Sequence, residues 1–105
     1  MIIPKFKILV IMLLGFFLLS CSSVRTTQEL QRGRSNFEAG YYREAFRQLL
    51  PLASEGNREA EYAVGYMYYY GYGTSQESVS GSFWIKKAAE QKYEPAVRAM
   101  KDLKN

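Results

Sequence analysis

The 105-residue chain has no histidine, one cysteine (Cys21) and one aspartate (Asp102). Without histidine there is no imidazole general base and no Cys/His zinc site, and a lone cysteine cannot build a disulfide framework. Strong charge of one sign is also lacking. The formal net charge of +4 includes Lys5 and Lys7 of the apolar leader; without them, twelve basic and ten acidic side chains leave +2, too weak and too mixed for a nucleic-acid surface. At this length there is room for one small domain, and none for a catalytic domain beside a regulatory one. What is abundant is tyrosine. Nine occur in all, and the stretch YAVGYMYYYGYGT at 62–74 holds six of them.

Lys5 and Lys7 precede an uncharged apolar run at 8–19. As a helix, twelve residues reach only ~18 Å, short of the roughly 30 Å hydrocarbon core of a bilayer. The run therefore reads as the apolar region of a secretory signal. It closes on Leu18-Leu19-Ser20-Cys21, which resembles the lipobox of bacterial lipoproteins. That resemblance implies a cleaved signal peptide at 1–20 and a lipidated cysteine at Cys21 with a tether over 21–27. It also implies localisation at the cell envelope, lipid-anchored and with Ser22 next to the cysteine as in outer-membrane lipoproteins. The competing reading is an uncleaved signal anchor with a chance cysteine.

Residues 28–105 are expected to form the folded domain, and every signal in it is helical. Gly33, Phe37, Gly40, Tyr42 and Ala45 suggest a helix, a tight turn at Gly40 and a second helix. Ala45, Leu49, Leu52 and Ala53 mark the buried stripe of that second helix over 42–54, with Pro51 expected to remove a hydrogen bond and bend it. Similar residues recur 36 positions apart: Leu49 with Ile85, Ala53 with Ala89, Ala60 with Ala96, Ala63 with Ala99, Val64 with Met100. A period in this range signals stacked helix pairs.

The residues carrying this pattern are Ala60, Val64-Gly65, Met67-Tyr68, Gly71-Tyr72-Gly73, Glu77, Trp84-Ile85, Lys87-Ala88-Ala89 and Ala96. Together they resemble the Sel-one-like repeat, a relative of the tetratricopeptide repeat with a longer loop inside each pair. The resemblance implies an all-α helical-hairpin solenoid of about five helices, with one full repeat between partial ones. Its motif positions here are Gly65, Gly71, Gly73, Trp84, Ala88 and Ala89. Three residues depart from the pattern: Gly81 for alanine, Lys92 for glycine and Thr74 for valine, which puts the tightness of the second hairpin in question. The implied function is protein docking rather than catalysis, with no cofactor or metal.

Placed at 100° intervals on a helix over 58–70, Ala60, Ala63, Val64 and Met67 share a buried stripe, whereas Tyr62, Tyr66 and Tyr69 share the opposite face. Two readings follow. The three tyrosines form an aromatic recognition strip for a partner protein, or for sugar rings in a peptidoglycan-associated factor; or they pack against the preceding hairpin. Phe83 raises the same question on the next helix. Uncovered apolar groups, with Met100 and Leu103 among them, further imply self-association or a stabilising partner. Ser22, Ser23 and Ser78 have no base to activate them, and Glu59 and Glu61 diverge by about 200° around the helix, so neither nucleophilic nor paired-carboxylate catalysis is expected.

Overall fold

A computed structural model describes residues 4–103, with the side chains of 15–23 outside that description. Among the described residues, five helices follow one another: α1 (Lys5–Glu38), α2 (Tyr42–Ser54), α3 (Arg58–Tyr70), α4 (Ser78–Glu90) and α5 (Glu94–Leu103), with no strand. Each packs on its neighbour in sequence, α3 against α4 most extensively. The molecule measures 66 × 28 × 18 Å. Its length is set by α1, whose N-terminal part stands clear of the domain with Phe6, Ile11 and Met12 exposed.

Residues 22–27 were expected as an irregular tether, and they are helical. Polar Ser and Thr side chains lower helix propensity only modestly, and nothing between Gly15 and Gly33 breaks a helix, so α1 runs through. The expected lipidation site, the side chain of Cys21, lies outside the described residues.

Four helix ends share one stop. After each, a left-handed residue (Gly40, Gly56, Gly71 or Lys92, φ 62–93°) is followed by an N–H that reaches back to a carbonyl five residues earlier. These bonds are Tyr41 to Asn36, Asn57 to Leu52, Tyr72 to Met67 and Tyr93 to Ala88, at 2.8–3.1 Å. They satisfy carbonyls that a helix end otherwise leaves orphaned. The stops at Gly56 and Lys92 lie 36 residues apart, the same spacing at which similar residues recur in the sequence, whereas those at Gly40 and Gly71 lie 31 apart. Lysine at the second of them holds φ +62°, a conformation that costs a residue with a Cβ about 1–2 kcal/mol. Lys92→Gly is therefore expected to stabilise the domain by about 1 kcal/mol, raising its melting midpoint by about 5 °C. An unchanged or lowered midpoint would contradict this stop.

The α3–α4 contact is made at two glycines. A Cβ on Gly65 would stand 2.8 Å from both the Gly81 carbonyl oxygen and the Ile85 backbone nitrogen, and one on Gly81 would stand 2.8 Å from the Tyr69 backbone nitrogen. Gly81 in place of alanine thus accompanies a close approach of the two helices and does not loosen their hairpin. In the connecting loop, Gly71 (φ +77°) caps α3, and a Cβ on Gly73 would collide with the Tyr42 carbonyl, which pins the loop to the start of α2.

The core is small and lies in two parts. Ala45, Leu49, Leu52, Ala53, Ala60, Val64 and Met67 form the first, between α2 and α3. Ile85, Ala88 and Ala96 form the second, between α4 and α5. The 36-residue pairs follow this division: Leu49 and Ile85, and Ala60 and Ala96, are buried alike. Trp84 is half-buried against the first part, and Ala89, Met100 and Leu103 flank the second.

Candidate functional site

Tyr62, Tyr66 and Tyr69 are brought together on α3, each half-buried, while Tyr70 is exposed. Tyr66 is the centre of a connected lattice of rings. It meets Phe37 of α1 edge-on at 6.2 Å, Tyr62 at 6.3 Å, Tyr70 at 4.7 Å, and stacks on Tyr72 of the loop at 6.0 Å with only 8° between planes. Tyr72 also meets Phe37 and Tyr42, and Tyr62 meets Tyr93 after α4. Tyr66 thus packs on the first hairpin through Phe37, as the packing reading expects, and on the loop after α3 through Tyr72, while the remaining area of the strip stays open.

That open area lines two depressions. One, of about 430 Å³, lies between α1 and α3, walled by Leu30, Arg34 and Phe37 and by Tyr62, Ala63 and Tyr66. The other, of about 350 Å³, lies between α3 and α5, where Tyr62, Tyr66 and Tyr69 face Arg98, Asp102 and Leu103. Tyr62 and Tyr66 line both. Charges are few and mostly paired at the rims: Arg34 donates to Glu59 at 2.7 Å across α1 and α3, and Arg98 to Glu94 at 3.2 Å within α5. Among the described residues no cluster of His, Cys, Asp and Glu could hold a metal ion. The site offers aromatic faces, phenol hydroxyls and a small charged rim.

Burial raises the pKa of Tyr62 above 10.0, and the neighbouring phenols Tyr66, Tyr93 and Tyr70 push in the same direction. Tyr66 is raised likewise, by burial first and then by Tyr72, Tyr70 and Tyr42. Both are neutral phenols near pH 7, able to donate and accept hydrogen bonds. The folded chain keeps these two protons at a pH where the unfolded chain releases them. Their contribution to stability is thus intact below pH 10.0, the ordinary tyrosine value, and is lost as pH rises through the folded values. Tyrosinate absorbance should show a component titrating above pH 10.0, with melting midpoints falling over the same range. Absence of that component would contradict the burial of Tyr62 and Tyr66.

One important side chain escaped the sequence reading. Glu61 is 1% exposed, the single charged side chain in the core among the described residues. The Gln91 amide donates to its carboxylate, and also to the Gly56 carbonyl at 2.9 Å. Gln91 thereby staples the turn after α4 to the turn before α3, joining the two stops that lie 36 residues apart. A buried carboxylate must be hydrogen-bonded, and this one is. Its signal in the sequence was its spacing of three and four from Val64 and Gly65, on the buried side of α3. The neighbouring Glu59 points to the groove rim.

Of the other motif residues, Gly65, Gly71 and Gly73 serve close approach and turn, while Trp84, Ala88 and Ala89 serve the core. None of these six lines a depression. No protein-family pattern, curated protein or solved structure matches the chain. Among the described residues no helix is long and apolar enough to cross a membrane.

Proposed function

We propose that this chain is a lipid-anchored docking protein of the Sel-one-like kind, held at a bacterial envelope membrane by Cys21 and binding a segment of a partner protein along its tyrosine groove. The observation that carries the docking half is that two open depressions adjoin across Tyr62 and Tyr66, giving an aromatic floor that extends from α1 to α5. Tyrosines suit this use, because each contributes a large rigid face and a polar tip while losing little side-chain entropy on binding. The repeat half is supported by the 36-residue recurrence of helix stops and buried positions. The anchor rests on the lipobox resemblance, and two or three acyl chains at ~0.8 kcal/mol per buried methylene would hold firmly. The protein is a binder and not an enzyme in this reading.

Capture from crosslinked envelopes tests it. Wild type should retain a discrete protein species, and Tyr69→Ser should retain about tenfold less, as expected for removing an aromatic anchor worth ~1.4 kcal/mol. Recovery of cell-wall saccharide without protein would instead favour a peptidoglycan-associated structural role for the same strip.

A further inference from the structure

The outward side of α4 carries a second surface, separate from the groove. At 100° per residue, Val79, Phe83, Lys86, Lys87 and Glu90 all lie between about 100° and 200° from buried Ile85, forming one stripe. Val79 is 83% exposed and Phe83 55%, among the most exposed apolar side chains of the folded domain. The Lys87 ammonium lies 5.5 Å from the Phe83 ring centre and 5.2 Å from that of Trp84, fixing a cation at the rim of the apolar patch. On α2, Arg43 and Arg47 hold the positions 36 residues before Val79 and Phe83, and both are exposed.

Charge decides what fits here. The carboxylates on these stripes are Glu44 and Glu90, against four cations, and none of the four is in an ion pair among the described residues. Around the groove, by contrast, Arg34 and Arg98 are matched by Glu59 and Glu94. An apolar patch bordered by cations that carboxylates do not neutralise, with an indole beside it, complements an anionic bilayer surface. Phe83 and Val79 reach the acyl boundary, the lysines and arginines meet phosphates, and Trp84 sits at headgroup depth. We infer that the α4 stripe of Val79, Phe83, Lys86 and Lys87, extended by Arg43 and Arg47, lies on an anionic phospholipid surface, leaving the tyrosine groove turned away from the membrane. This surface does not depend on what occupies the groove.

Trp84 is the only tryptophan in the chain and adjoins the patch, so its fluorescence reports the contact directly. The full chain should be reconstituted into vesicles of zwitterionic phosphatidylcholine, or of that lipid with phosphatidylglycerol, each with lipids brominated near the headgroup. On anionic vesicles Trp84 emission should shift to the blue and be quenched roughly twofold, on zwitterionic vesicles it should not, and added salt should reverse the effect. Lys86→Glu with Lys87→Glu should abolish the shift, as should Phe83→Ser. These exposed substitutions should leave the helical circular dichroism unchanged. No quenching on anionic vesicles, or equal quenching on both kinds and in the charge-reversed variant, would overturn the inference. A blue shift that follows protein concentration and ignores lipid charge would also overturn it, assigning the patch to a second copy of the chain.

Discussion

Gly65→Leu is expected to destabilise the domain by about 3 kcal/mol, the upper end of what overpacking costs, and to lower its melting midpoint by roughly 15 °C. Even the first carbon of the new side chain would stand 2.8 Å from the backbone of Gly81 and Ile85. Flexible side chains yield to such intrusion, but two helix backbones must move apart. Gly65→Ala should therefore already show a substantial part of the loss, because its Cβ meets the same atoms. The damage would extend to function, since α3 carries the tyrosine strip and α4 brings Ile85 and the α5 wall to it. A midpoint within a degree or two of wild type would mean that α3 and α4 do not meet at their glycines.

Cys21→Ala should be all-or-none. If Cys21 is the lipobox cysteine, its thiolate is the one group in the chain able to take a diacylglycerol, because there is no second cysteine. Incorporation of a fatty-acid analogue should fall to background. The chain should retain its leader, reading by mass about twenty residues heavier than the processed form before acyl groups are counted. Continued labelling of Cys21→Ala would overturn the anchor, and an unlabelled wild type at full length would favour an uncleaved signal anchor.

Much of the helical frame was legible in the sequence. The limits of α2 and α3, at 42–54 and 58–70, follow from apolar spacing closed by Gly40, Gly56 and Gly71, local signals that need no tertiary information. Continuity of α1 through 22–27 was not legible, because a segment without apolar period reads as irregular when it is helical but makes few contacts. Glu61 was missed for the opposite reason: an acidic residue is assigned to the surface unless its partner is known, and Gln91 lies thirty residues away. Gly81 read as a departure from a pattern because its meaning lies in its pairing with Gly65. The tyrosines were placed on the correct side of α3 by helical phase alone. That they share a lattice with Phe37, Tyr42, Tyr72 and Tyr93 depends on four other segments of the chain, which phase within one helix cannot reveal.

The docking claim is tested most directly by placing a photoactivatable crosslinking residue at single positions in the full chain within intact cells. Tyr69 and Asp102 represent the groove, and Arg47 and Glu90 the outward stripes. The expected result is one discrete protein adduct, the same from both groove positions and absent from the outward ones. Adducts of equal yield from all four positions, or none from Tyr69 and Asp102, would contradict a partner seated on the tyrosine floor.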